Sequence, residues 1–367
     1  MKPLAVAAWS MVTPFGEGDA AIEALFANRA AFSPVPTDAA LRSELAALVP
    51  GWPDRAAGAA QWQRHLASQV TRAVWDTLSL DGAAADRCLF VFATSYGHLL
   101  DEPGSDTMSS WAQDCLRDLG LDGEAIVVGS GCSSGADAVG LAAAMLDAGK
   151  ADVAVVVAVD IVTPAKRIAH STLGTMAVGE VKPFDVRRSG MLLGEAAAAV
   201  ALMRREDCPK HEGELLGIGA ANDAYGLTAP DPSGLSVRLA LDRALNAADL
   251  GEEDLSLYLA HGTGTQLNDG LEAKVVEEAF AGNCGMIVVG TKGALGHSLG
   301  ACGLVEFILL LQMLKRGEAP PTVGLAEPIE GVAKRVAQPE GRPLQGQLGV
   351  SVTLGFGGFN TALVARA

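Results

Sequence analysis

The sequence predicts an α/β protein of two similar halves, each holding one helix that is buried on every side. Three observations carry that prediction. Short, wholly apolar runs such as residues 153–159 (VAVVVAV) have the make-up of strands covered on both faces. Two helical stretches, residues 136–146 and 304–314, are apolar nearly all the way round, which places them inside the protein. Each follows a glycine-rich turn bearing one chemically capable side chain, Cys132 in the first and His297 in the second. The repetition is one of pattern, without a strict sequence period. The polar run at 204–213 separates the halves and gives 1–205 and 206–367 as the two units. Packed around their two central helices, the halves would bring the two turns together.

Taken in order, residues 4–9 read as a strand with its turn at 12–16. A helix follows at 18–28, with Ala20, Ile22, Leu25 and Phe26 inward. Residues 30–58 carry Pro34, Pro36, Pro50 and Pro53 and are expected to be loop-rich, with one short helix at 39–48. Residues 61–78 form a better helix, residues 87–93 a strand, and 101–120 a loop and a helix around Trp111. Residues 127–146 run strand, turn, helix; Ser133 or Ser134 is the expected cap. After the strand at 153–159 comes a long, mostly irregular excursion at 160–194, then a strand at 196–203. The second half has strands at 215–220, 256–260, 286–289, 349–354 and 361–364, and helices at 233–247, 271–280 and 304–314.

Bulk properties narrow the function. With 367 residues, 49% of them hydrophobic, and 43 glycines, the chain can bury a large core and make many tight turns. Its net charge of −16 argues against binding nucleic acid through bulk charge, and an acidic partner would need a local basic patch. The six cysteines lack metal-ligand spacing and read as scattered thiols of a reducing compartment. The N-terminus reads as a first strand rather than a secretory signal. The most apolar segment, 303–314, is interrupted by Glu306 and too short to span a bilayer. The expectation is a cytoplasmic protein without a membrane span.

Five residues stand out chemically. Cys132 lies at the start of a buried helix, where backbone N–H groups and the helix dipole would favour the reactive thiolate; a small buried filler is the competing reading. The turn around it resembles the elbow on which some hydrolases expose a serine. His261 ends a buried strand, where α/β proteins place ligands, though a lone histidine there is often structural. His297 opens the second buried helix, where the dipole would keep the imidazole neutral and able to donate. Glu306 stands inside an apolar helix and must pair with something, for which Lys292 is a candidate. A cysteine with two histidines, a lysine and a glutamate on such turns suggests nucleophilic catalysis.

With these in view, further stretches fall into line. Met11-Val-Thr-Pro-Phe-Gly16 resembles "VTPLG", Gly131-Cys-Ser-Ser134 resembles "ACSS", and Lys182-Pro-Phe-Asp185 with Leu193-Gly-Glu195 resembles "RPFD…LGEG". Asp223-Ala-Tyr225 resembles "DAY", and Ala260-His-Gly-Thr-Gly-Thr265 resembles "AHGTGT". Lys292 to His297 resembles "KSxxGH", and Gly355-Phe-Gly-Gly358 resembles "GFGG". In this order they are the segments of a β-ketoacyl synthase, the condensing enzyme of fatty acid and polyketide assembly, and the chain resembles a short member of that family with two site histidines.

The resemblance implies a thiolase-like α/β fold with a layered α-β-α-β-α core. It implies that Cys132 takes an acyl group from a carrier-protein thioester, with the N–H groups of Cys132 and the Phe356 loop facing the oxyanion. His261 and His297 would serve decarboxylation of a malonyl extender, Lys292 would hold the histidine pair's electrostatics, and Glu306 would balance Lys292. Phe356 would gate the site beside Gly357, and Thr263 and Thr265 would bind the carrier's phosphopantetheine arm. No metal or redox cofactor is implied. Partners would be an acyl carrier protein, reached through a basic patch of Arg167, Lys182, Arg187 and Arg188, and a second subunit. That subunit would be a like copy or a ketosynthase-like relative meeting residues 124–128. The other readings are a silent, chain-length-factor-like subunit and an acyltransferase to a non-carbon acceptor. The chain departs from the family pattern at Gly131, Gly293 and Phe359, and is short before residue 61 and between Tyr96 and Leu121.

Overall fold

The computed structural model describes residues 1–51, 58–80, 85–102, 104, 107–337 and 340–367. In the first half five strands, β1 (Leu4–Thr13), β2 (Cys88–Ala93), β3 (Ala125–Val128), β4 (Val153–Asp160) and β5 (Ala196–Arg204), lie side by side in the order β3-β2-β4-β5-β1. In the second half β6 (Gly213–Asn222), β7 (Leu257–Ala260), β8 (Ile287–Gly290), β9 (Leu348–Leu354) and β10 (Phe359–Arg366) lie in the order β8-β7-β9-β10-β6. These are the same permutation. The senses match too: β2 runs parallel to β3 and β4, while β4–β5 and β5–β1 are antiparallel. Likewise β7 runs parallel to β8 and β9, while β9–β10 and β10–β6 are antiparallel. The expected repeat is therefore a repeat of topology. The halves join where Leu4–Val6 of β1 pair with 213–215 of β6.

Helix α1 (Ala20–Phe26) comes first in the chain, and between the sheets lie α4 (Ser134–Asp147) and α9 (Cys302–Arg316). Ala138, Val139, Ala142, Leu304, Ile308 and Leu311 share one buried cluster with strand residues of both halves. Helix α9 is buried on nearly every side up to Leu314, as its all-round apolarity predicts, whereas α4 departs from the expectation: its edge at Gly140, Leu141, Ala144 and Asp147 is partly or fully exposed. The helices cross at two glycines. A methyl group on Gly135 would come within 2.9 Å of Leu304 N, and one on Gly303 within 2.8 Å of Ala136 N. Outside the first sheet lie α2 (Ala59–Leu78) and α3 (Ser110–Leu119), packing Leu66, Val70 and Trp111 onto Phe92 and Val157. Outside the second lie α6 (Leu235–Ala248) and α7 (Gln266–Ala279), packing Leu241 and Val276 onto Tyr258 and Val350. The result is the expected five-layered α-β-α-β-α order. No helix among the described residues is long and apolar enough to cross a membrane.

Four local expectations need correcting. Residues 39–48 are not helical; Leu45–Ala46 form a two-residue strand against Ser33–Pro34. The part of that loop at 52–57, with Pro53, lies outside the described residues. The excursion after β4 contains a helix, α5 (Pro164–Thr172), capped by the Thr163 hydroxyl, which accepts from Lys166 N–H at 3.3 Å, with proline in the first turn. Helix α7 begins at Gln266, not Leu271, because Thr265 caps it. Neither Ser133 nor Ser134 caps α4; Ser133 Oγ instead donates to Asp137 at 2.7 Å and Ser134 Oγ to Gly131 O at 2.7 Å.

Candidate active site

The two central helices begin alike, each behind a short 3-10 turn, Gly131–Ser133 before α4 and Leu299–Ala301 before α9. Gly131 has φ +69°, which a side chain would disfavour, and this bend swings Cys132 into the gap between the halves. From the other half, the link between α8 (Lys292–Leu295) and α9 carries His297 to the same point. Cys132 Sγ lies 3.2 Å from His297 Nε2. His261 follows β7, and its ring lies edge-on to that of His297 with centroids 5.1 Å apart. All three side chains are buried, yet all three face a cavity of about 470 Å³. Thr263, Thr265, Phe356 and Gly357 also line this cavity.

Lys292 and Glu306 stand behind the histidines rather than in the cavity wall. Lys292 Nζ donates to Glu306 Oε1 and to His261 O, each at 2.6 Å. Thr291 Oγ1 donates to the same carboxylate at 2.9 Å. The ammonium thus ties the turn holding His261 to helix α9. A further carboxylate, not singled out from the sequence, secures the turn from below. Glu272 accepts the N–H groups of His261 at 2.8 Å and Gly262 at 2.9 Å. Asp269 accepts that of Gly264 at 3.1 Å. The signal was present: Asp269, Glu272 and Val276 lie at helical spacing on the face that turns inward.

Electrostatics overturn one expectation and re-explain another. Burial pushes the Cys132 thiol up to about 11, outweighing the opposing pull of the Phe356 backbone N–H and the Lys292 charge. The resting group is therefore a thiol, not the thiolate that helix position alone suggests. His261 and His297 both lie well below the ordinary imidazole value, chiefly through burial and then through the Lys292 charge. Both rings are thus neutral, which the sequence predicts for His297 alone, and burial rather than helix position is the largest cause. Alkylation of Cys132 by iodoacetamide is accordingly expected to rise with pH without a plateau until about 11. A plateau near neutrality, read by intact mass, would show that the thiolate is already formed.

Cys302 was also not foreseen. Its Sγ lies 3.4 Å from Cys132 O, and His261, Cys302 and Glu306 hold their polar atoms within 4.8 Å of one another. With the Lys292 ammonium on that carboxylate, the cluster is an ion-paired core rather than a cradle for a cation. The expected basic patch is only partly available. Arg167 is buried and donates to Glu44 O, Arg187 pairs with Asp185, and Lys182 with Glu180. Arg188 donates to Thr265 O and Gln266 O at the cavity rim.

Comparison with known proteins agrees with this layout. Residues 103–208 match the family description "Beta-ketoacyl synthase, N-terminal domain", and 212–326 match "Beta-ketoacyl synthase, C-terminal domain", together more than half of the chain. The chain belongs to the β-ketoacyl synthase family. It is 34% identical over 247 residues to the 3-oxoacyl-[acyl-carrier-protein] synthase 2 of Mycobacterium leprae (strain TN), a match covering 64% of this chain and 58% of that relative. The aligned stretch thus spans less than two thirds of the curated relative's length. The crystal structure of a β-ketoacyl synthase from Burkholderia phymatum STM815 superposes with a TM-score of 0.86 at 26% identity, covering 100% of this chain and 99% of that one. The ishigamide ketosynthase/chain length factor, at 22% identity, TM-score 0.89 and coverage of 100% and 99%, shares the β-ketoacyl synthase fold.

Proposed function

We propose that this chain is a condensing enzyme that joins an acyl group held on Cys132 to a malonyl extender, both delivered as carrier-protein thioesters. The reading rests on one observation above all, the 3.2 Å contact of Cys132 Sγ with His297 Nε2 beside the His261 ring. In the first half-reaction Sγ attacks the acyl thioester carbonyl, the carrier sulfur departs, and the thiol proton ends on that sulfur. The backbone N–H groups of Cys132 and Phe356, which favour the thiolate over the thiol, would hold the oxyanion. In the second, the malonyl thioester loses carbon dioxide, and neutral His261 and His297 donate to the oxygen of the forming enolate. The enolate carbon attacks the acyl-enzyme, the C–S bond to Cys132 breaks, and Sγ regains a proton from solvent. Lys292, fixed by Glu306, holds the His261 turn in place.

Thr263 and Thr265, whose hydroxyls lie 2.9 Å apart in the cavity wall, would bind the phosphopantetheine arm, and Phe356 with Gly357 would gate the inner end. Strand β3 ends the sheet and is only half-buried, which fits pairing with a like or ketosynthase-like subunit along its free edge. Functionally the chain divides at 205/206, with the nucleophile on one side and both histidines on the other.

The test is to incubate the protein with acyl- and malonyl-carrier proteins and follow intact mass and released carbon dioxide. The expected result is an acyl adduct that vanishes in Cys132→Ala, together with carbon dioxide release. An adduct on another cysteine would overturn the site. An adduct without malonate consumption would instead indicate transfer to a non-carbon acceptor, and neither adduct nor release a silent partner subunit.

A further inference from the structure

The cavity that opens on Cys132 must stay free for the extender once the cysteine is acylated. The acyl chain therefore has to lie elsewhere, and what surrounds Cys132 away from the cavity is already filled. Cys132 belongs to a dry cluster with Val35, Ala46, Val162, Leu193 and Leu299, and half-buried Leu48 packs against it. Met191 is the member of this cluster that, with Cys132, also touches the cavity. It forms the partition between open and packed space, and methionine is the side chain best able to shift there.

This wall is not a loose cover. Val35, Ala46 and Leu48 come from the segment 33–49, which backbone bonds close on itself and fasten to the stretch 193–195. Ala47 N donates to Leu193 O at 3.0 Å, Glu195 N to Ala47 O at 2.8 Å, and Val35 N to Glu44 O at 2.8 Å. Val49 N donates to the Glu195 carboxylate at 3.1 Å. Leu299 is held in a left-handed conformation, φ +43°, which is costly for leucine and keeps its side chain in the cluster.

Immediately beyond Leu299 the apolar material ends. Gly300 N donates to Asp160 Oδ2 at 3.0 Å, and Ser95 N donates to the same oxygen at 2.8 Å. Asp160 is ion-paired with Lys166, whose ammonium also donates to Ile161 O at 2.9 Å, and both side chains are at most 2% exposed. A hydrocarbon tail pushed past Leu299 would have to part or strip a buried ion pair, which is far costlier than displacing a methyl group.

We propose that the acyl group accepted by Cys132 is short, its length set by Met191 and Leu48 on one side and stopped behind Leu299 by the Asp160–Lys166 pair. The proposal rests on the condensing-enzyme reading and names its substrate class. Each methylene beyond the available space forces a packed cluster apart, and in such pockets one methylene is worth roughly tenfold or more in rate.

The experiment loads an acyl carrier protein with acetyl, butyryl, hexanoyl or decanoyl groups and follows the rate of Cys132 acylation of the full chain by intact mass. Acetyl and butyryl are expected to transfer readily, and decanoyl at least roughly tenfold more slowly than acetyl. Leu48→Ala is expected to raise the hexanoyl-to-acetyl ratio several-fold. Equal rates across the series would overturn the proposal and leave the condensing-enzyme reading standing. A discrimination that Leu48→Ala and Met191→Ala both leave unchanged would overturn the assignment of the wall. No adduct with any acyl group would overturn the condensing-enzyme reading and this proposal with it.

Discussion

Lys292→Met will cost the protein both stability and activity, and by more than any substitution on the cavity rim. The ammonium it removes is the counter-charge to Glu306, and both groups are almost completely buried. Removing one partner of a buried pair leaves an unbalanced charge, a loss of about 3–5 kcal/mol. Urea unfolding measures it directly. The double variant Lys292→Met with Glu306→Leu removes both charges, and an apolar pair of similar volume is often no less stable than the ion pair. It should recover most of the lost stability and none of the lost activity, because His261 O still lacks its donor. The variant should also titrate differently. The Lys292 charge lowers the Cys132 thiol and both imidazoles, so without it the thiol moves further up and the imidazoles move back toward their ordinary value. Cys132 alkylation would then begin at higher pH than in the unaltered chain. A single variant as stable as the parent, with an unmoved alkylation profile, would show that the pair carries neither role.

What the sequence disclosed, and what it withheld, follows from how local each signal is. A glycine turn followed by an apolar helix is a local pattern, and it occurs twice, so the positions of Cys132 and His297 were readable in advance. So was the need for Glu306 to have a partner, because an apolar helix cannot hold a lone carboxylate. Helix α5 escaped notice because its inward face carries Lys166, Arg167 and His170 rather than apolar side chains. Periodicity of hydrophobic residues does not find such a helix, although Thr163 followed by Pro164 is a good start signal. The same helix accounts for one member of the expected basic patch, Arg167. Arg167 is turned inward onto Glu44 O, beside Lys166 on Asp160. The thiolate expectation failed for a different reason. A helix start is visible in a sequence, but the depth of burial that outweighs it is set by both halves of the fold at once.

The two histidines should separate when each is replaced by alanine. His297 touches Sγ at 3.2 Å, so His297→Ala removes a group in contact with the nucleophile as well as one facing the extender. Both half-reactions should slow. His261 reaches the site only through the ring of His297 and the cavity, and Sγ is not among its partners. His261→Ala should therefore leave acyl-adduct formation nearly intact and depress carbon dioxide release by about 10²–10³, the usual cost of losing one preorganised donor to a developing oxyanion. Rapid-quench intact mass gives the first step and released carbon dioxide the second, so the two are read on the same sample. The neutral state of both rings sharpens the expectation. Since burial and Lys292 hold them well below the ordinary imidazole value, carbon dioxide release should show no rise or fall centred near that value in the unaltered chain. If the two variants instead lost both steps equally, the rings would be acting as one packed unit, and separate donation to the enolate would have to be given up.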